Sequence, residues 1–265
     1  MSIVFITGNH PRHAYIARCL AATGKLKKVI IEQREAHLPA PPADIDAQLK
    51  SLFRAHFAKR EEAEFEMFGA PRWPDVETVN IDVQALNTEY VKQHIAATDP
   101  DLLITYGCHM LSDDTLACAT GEKWNIHGGL SPWYRGAITH FWPSYMLEPH
   151  KTGMTVHELT QDLDAGAVVH QCVAPLYRGD GLHQLAARAV LKIGDELPQL
   201  VGMLYEQGAN SITKLAHTTT GKLWLGSQWR PEHLKLIYQF YNDDIVDHYL
   251  DGKFGKSELK LHRQF

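Results

Sequence analysis

The sequence is short of the features that tie a chain to a membrane, to nucleic acid or to an oxidising compartment. No run approaches the roughly 20 apolar residues that span a bilayer. The opening stretch MSIVFITGNH carries no basic residue and reads as a first core strand, not as a signal peptide. Acidic residues outnumber basic ones, 31 to 26, for a formal net charge of −5. Neutralising phosphates needs a basic surface, so this balance argues against a nucleic-acid partner. Cys19, Cys108, Cys118 and Cys172 are scattered without paired spacing, as reduced thiols of a cytoplasmic protein would be. Gly-x-Gly-x-x-Gly, the P-loop, His-Glu-x-x-His and Gly-x-Ser-x-Gly are all missing. Their absence counts against nicotinamide or flavin binding, phosphate-loop chemistry, a zinc protease and a serine hydrolase. The sixteen histidines show no ligand spacing, so no metal is expected.

What is present is an ordinary globular balance, 45% apolar and 22% charged over 265 residues. Short β-branched runs at 2–7, 27–33, 77–81, 101–107 and 123–127 alternate with helical stretches at 13–23, 83–97 and 112–119. Such alternation predicts an α/β fold, a Rossmann-like, doubly wound, mostly parallel sheet. Beyond residue 150 the pattern changes: 153–160 and 165–175 read as a strand pair, and 180–208 as a long amphipathic helix. These elements suggest a catalytic domain over 1–208 and a small C-terminal extension over 209–265, made of a hairpin (ITKLAHTTTGKLWLGS) and a final helix near 231–250. The charged segment 47–69 reads as a surface helix covering the sheet edge. A minority reading gives its Arg54, His56 or Arg60 a place beside an anionic substrate.

Ligands in open parallel sheets sit beyond the carboxyl ends of the strands. Three loops should meet there: Gly8–His13, Tyr106–Ser112 and Asn125–Gly136. In WNIHGGLSPWYRG (124–136), Asn125 and His127 are two apart in a strand and so face the same way. The glycines that follow let backbone approach closely. Asp162 and Asp164 lie in LTQDLDAGAVVHQ, a turn between strands, where Asp and Gly have local reasons to occur.

NIHGGLSPWYRG followed by GMTVHELTQDLDAGAVVHQ resembles the signature of the folate-dependent formyltransferases, with its Asn-x-His, its Leu-x-Pro-x-Tyr-Arg/Pro-Gly loop and its Gly-x-Thr-x-His…Asp-x-Gly…Gln stretch. Residues 101–171 match in order and spacing. The resemblance implies a formyltransferase fold, N10-formyltetrahydrofolate as co-substrate, and Asn125, His127 and Asp164 as the catalytic trio. It places Tyr106, His109, Met110, Leu111, Gly136, Asp162 and Gly166 at the folate, and Asn9, His10, Arg12, His13 and Arg135 at the amine acceptor. Formyl transfer to an amine passes through a tetrahedral oxyanion, to which Asn125 and a protonated His127 would donate. Asp164 would orient His127, raise its pKa and help remove the amine's proton.

This chain departs from the family pattern in places. Gly128-Gly129 replaces Pro-Ser after the histidine, and His109-Met110 replaces an Arg-Ile pair common in one branch. The purine branch, which formylates glycinamide ribonucleotide, uses Gly-Asn-Gly-Ser-Asn at the first loop. Here Gly8-Asn9-His10-Pro11-Arg12-His13 stands instead, and Pro11 removes a backbone donor. The short acidic chain does not suit the initiator-tRNA branch. Tyr134-Arg135-Gly136-Ala137 and the short aromatic tail are closest to the branch that formylates nucleotide-linked amino sugars for surface polysaccharides. Trp224, Trp229, Tyr238 and Tyr241 would stack on a base, form a homodimer interface or pack on the chain's own core. Glycinamide ribonucleotide, N-hydroxyornithine-type amines and a non-catalytic folate or nucleotide sensor are the alternatives.

Overall fold

The continuous apolar runs form the centre of one seven-stranded sheet in the computed structural model, which describes residues 2–34, 38–160, 164–216, 221–255 and 257–265. Five strands run parallel: β1 (Ile3–Thr7), β2 (Leu26–Gln33), β3 (Glu77–Asp82), β4 (Leu102–Tyr106) and β5 (Glu122–His127). A short strand β6 (Arg135–Gly136) follows outside this sheet. Then β7 (Gly153–Glu158) and β8 (Val168–Val173) add antiparallel, and the order is β3-β2-β1-β4-β5-β7-β8. The doubly wound, mostly parallel sheet expected from the sequence is therefore present.

Alternate residues of β1, β2 and β4 serve two cores. Ile3, Phe5, Trp124 and Ile126 pack with Ile16 and Leu20 of α1 (Pro11–Ala22), together with residues of the long C-terminal helix Leu182–Gln207. Val4, Ile6 and Leu103 pack on the other face with Val91 and Ile95 of Glu89–Thr98. In chain order the helices are α1, α2 (Ala47–Phe68), α3 (Glu89–Thr98), α4 (Asp113–Leu116), α5 (Trp142–Tyr145), α6 (Leu182–Gln207) and α7 (Ile245–Leu250). The helix expected over 83–97 is split: Asp82 caps a single tight turn at Val83–Ala85, and α3 starts afresh at Glu89.

Three expectations are corrected. α2 does not cover a sheet edge; it packs across α1 and α6, burying Leu49, Phe53, His56, Ala63, Glu64 and Phe68. Nor do the arms of the expected tail hairpin pair with each other. Leu215 exchanges backbone hydrogen bonds with Val168 on β8, while β9 (Leu223–Trp224) pairs in parallel with β6. The final helix is also broken, with Asn242 and Asp243 at φ of 50° and 63° before α7. From there the chain runs along β8, where Gln171 N–H donates to the His262 carbonyl at 2.8 Å.

The tail's aromatic residues pack on the chain's own core. Trp224 stacks on Trp142 with ring centroids 4.3 Å apart, and the Tyr238 hydroxyl lies 2.8 Å from His56 Nδ1. Leu234, Ile237 and Ile245 join Phe53, Tyr134, Phe141 and Leu182 in a third cluster.

Candidate active site

The register of the sheet assembles the site. Thr105 on β4 lies beside Asn125 on β5, and Asn125 lies opposite His157 on β7, so three polar residues form a row across three strands. The Thr105 hydroxyl donates to Asn125 Oδ1 at 2.7 Å, which turns the amide nitrogen toward His157 and Asp164. Asn125 Nδ2 is 3.1 Å from His157 Nε2 and 3.5 Å from Asp164 Oδ1. His157 Nδ1 donates to the Glu158 carbonyl oxygen at 2.8 Å, which fixes the orientation of the ring.

Asp164 reaches back from the turn between β7 and β8, held in the left-handed region at φ 48°. Its Oδ2 accepts the Gly136 N–H at 2.9 Å and lies 3.3 Å from His127 Nδ1, and its Oδ1 lies 3.3 Å from His157 Nε2. Burial alone would raise the Asp164 pKa. The neighbouring His127 and His157 and the Gly136 N–H outweigh it and hold the carboxyl well below the usual carboxylate range.

His127 departs from expectation. Burial lowers its pKa, and this outweighs the upward pull of Asp164 and of the Tyr134 carbonyl. Its Nε2 is 2.8 Å from the Tyr134 carbonyl oxygen, so the proton of the neutral ring sits on Nε2, and a bare Nδ1 faces the Asp164 carboxylate. A lone pair set against a carboxylate is a place where a proton is welcome.

The spelling of the second motif now has physical reasons. The Thr155 hydroxyl donates to the Gly129 carbonyl at 2.8 Å and accepts the Ser131 N–H at 3.0 Å, while Gln171 Nε2 donates to the Ser131 carbonyl at 2.6 Å. These bonds pin the loop that follows His127. Gly129 cannot carry a side chain, because a Cβ there would fall on the Tyr134 carbonyl oxygen and 2.5 Å from His127 Nε2.

Asn125, His127, His157 and Asp164 line a cavity of about 820 Å³, a size that suits a small-molecule site. The three expected loops all reach it. Arg12 and His13 come from the first, Tyr106, His109, Met110 and Leu111 from the second, and Gly136 from the third. His109 is fixed by the buried Glu32, which accepts its backbone N–H at 2.9 Å and lies 3.0 Å from its Nδ1. Met110 stands 62% exposed at the mouth.

Other predicted residues lie elsewhere. Asn9 does not face the cavity; its Nδ2 donates to Gln33 Oε1 at 2.7 Å, tying the ends of β1 and β2. His10 caps α1, 2% exposed and 3.1 Å from Arg12 Nη1. Arg135 Nε donates to the Asp164 carbonyl at 2.9 Å and so holds the backbone at Asp164 instead of lining the cavity. Gly166 is a close crossing, where a Cβ would fall on the Glu158 carbonyl oxygen. Asp162 lies outside the described residues. Arg54 is exposed and off the cavity, whereas His56 and Arg60 are on its wall.

Sequence reasoning missed His157, Thr105 and Glu64 as members of the site. His157 was spelled out in the second motif, and only the β5–β7 register shows what it touches.

A family description for formyl transferase matches residues 23–199, about two-thirds of the chain. Among proteins of known structure, the chain is similar to a sugar N-formyltransferase from a Shewanella species, at 17% identity over 89% of this chain and 87% of that one, with a TM-score of 0.57. It is also similar to a phosphoribosylglycinamide formyltransferase from Anaplasma phagocytophilum, at 19% identity over 84% and 96%, with a TM-score of 0.54. A third is an N-formyltransferase from Helicobacter canadensis, in complex with folinic acid and dTDP-3-aminofucose, at 13% identity over 87% and 73%, with a TM-score of 0.50. At these identities the structural likeness speaks for the fold. The matched family span carries Asn125, His127, His157 and Asp164, and the chain belongs to the formyl transferase family as a folate-dependent formyltransferase.

Proposed function

We propose that the protein moves the formyl group of N10-formyltetrahydrofolate to the amino group of a nucleotide-linked amino sugar. The observation that carries this reading is the convergence of Asn125, His127, His157 and Asp164 on one cavity of about 820 Å³, walled by α2 and the tail. That volume lies within the range of small-molecule sites. The sugar class is favoured by a neighbour described as a sugar N-formyltransferase, by another in complex with dTDP-3-aminofucose, and by Pro11, which supplies no N–H at the head of α1. A glycinamide ribonucleotide acceptor is the second reading, favoured by a phosphoribosylglycinamide formyltransferase among the neighbours.

The side chains divide the work as follows. Asn125 Nδ2, oriented by Thr105, gives a hydrogen bond to the oxyanion that forms when the amine adds to the formyl carbon. His127 Nδ1 takes a proton released by the amine, with the ionised Asp164 stabilising the imidazolium, and returns it to N10 of tetrahydrofolate as the bond from the formyl carbon to N10 breaks. Arg135, through the Asp164 carbonyl, and Gly136, through its N–H, keep that carboxylate in place. His127 therefore works from a neutral resting state. Residues 1–208 form the catalytic part in this reading, and 209–265 an extension that completes the cavity wall. A homodimer, a cytoplasmic location and a place in polysaccharide biosynthesis complete the proposal.

The test is a mass-spectrometric transfer assay with N10-formyltetrahydrofolate and an amine pool of nucleotide-linked amino sugars, glycinamide ribonucleotide and N-hydroxyornithine. Formylation of an amino sugar is expected. Exclusive formylation of glycinamide ribonucleotide, or of nothing, would overturn the proposal.

A further inference from the structure

The head of α1 has the makings of an anion site. A helix N-terminus, an arginine and two histidines converge there, and such groups ordinarily attract phosphate or carboxylate. Here the anion is built in. Arg12 Nη1 pairs with Glu64 Oε1 of α2, and Glu64 is 7% exposed in the cavity wall. Against the upward push of burial, the Arg12 charge also acts on the Tyr106 hydroxyl, pulling its pKa down. The His10 backbone N–H donates to His13 Nδ1 at 3.1 Å, so the proton of neutral His13 lies on Nε2. Burial, with Arg12 and His10 adding to it, keeps the His13 pKa well below its ordinary value.

Two polar atoms are left over. Among the described residues, neither His13 Nε2 nor Glu64 Oε2 has a hydrogen-bond partner. Both side chains line the same cavity as Asn125 and His127, and both are grouped about Tyr106, whose ring meets His13 edge-on at 4.8 Å. One unused N–H and one unused carboxylate oxygen are therefore buried in the wall, beside an arginine whose charge is already cancelled. A phosphate entering there meets the Glu64 carboxylate as a like charge, whereas an uncharged group does not.

We infer that Glu64 sets the acceptor specificity of this subsite: by neutralising Arg12 it makes the head of α1 a place for an uncharged part of the acceptor and closes it to phosphate. The inference rests on the amino-sugar reading above, but its test does not pass through formyl transfer. A failed acceptor assignment and a failed subsite are therefore told apart.

The experiment titrates inorganic phosphate into the wild type, Glu64→Gln and the double variant Arg12→Gln/Glu64→Gln, following ³¹P line widths. Circular dichroism confirms that each variant is folded. Wild type and double variant should coincide, and Glu64→Gln should bind phosphate about 10- to 100-fold tighter, the range of one charge-assisted hydrogen bond. Saturable binding to the wild type that the double variant abolishes would overturn the inference, as would a Glu64→Gln titration no different from wild type. If Glu64→Gln does not fold, Glu64→Ser takes its place under the same criteria.

Discussion

Asp164→Asn is the substitution that separates charge from shape at the site. Asparagine fits the same turn and still offers one oxygen to the Gly136 N–H, now at 2.9 Å from Oδ2. What disappears is the negative charge 3.3 Å from His127 Nδ1 and one of the two carboxylate oxygens that face His127, His157 and Asn125. Losing a proton-transfer partner of this kind lowers kcat by about 10²–10⁴. The remaining hydrogen bond is neutral where it was charge-assisted, a loss of about 1–2 kcal/mol. At this chain length that is about 2–4 °C of melting temperature per kcal/mol. The pH profile must move as well. Asp164 pulls the His127 pKa upward against burial, so without it the His127 pKa falls further and the acid limb of the rate profile shifts to lower pH. The assay is tetrahydrofolate release across pH with donor affinity measured in parallel. A kcat within threefold of wild type, with an unmoved acid limb, would refute the reasoning and leave Asp164 as a turn residue.

The remaining expectations concern the supports of the site. Gly129→Ala places a methyl group against the Tyr134 carbonyl and His127 Nε2, so overpacking should cost about 1–3 kcal/mol and reduce kcat, read by thermal unfolding and turnover. Arg135→Ala frees the Asp164 carbonyl and should lower kcat more than donor affinity; a pure rise in acceptor KM would instead make Arg135 a substrate contact. Burial lowers the pKa of both His56 and His140 to about 3, so the unfolded chain binds more protons than the folded one below the ordinary histidine pKa. Stability should therefore fall as pH drops from about 6.5 toward 3, by up to about 1.4 kcal/mol per pH unit for each histidine. Urea midpoints across that range test this, and His140→Gln should flatten the slope.

Much of the site could be seen in the sequence because it depends on local periodicity. Asn125 and His127 share a face in any strand, and the apolar runs of β1 and β4 admit only a buried parallel role. His157 needed more, since its meeting with Asn125 depends on the antiparallel register of β5 and β7, which no local pattern states. Glu64 lies in the charged run REEAEFE, where a solvated face is the ordinary reading, and only the packing of α2 across α1 brings it to Arg12. The tail misled for a different reason. TTTGK is a fair turn signal, but its arms found free edges on β6 and β8 that were better partners than each other. Helix α2 was legible as a helix, while its position was set by tertiary contacts with α6.

The most direct test of the account is single-turnover formyl transfer by wild type and Asn125→Ala, with N10-formyltetrahydrofolate affinity measured on the same samples. The account predicts a loss of about 10²–10³ in the transfer rate, the worth of one oxyanion donor, with donor affinity within about threefold of wild type. Transfer at the wild-type rate by Asn125→Ala would contradict it.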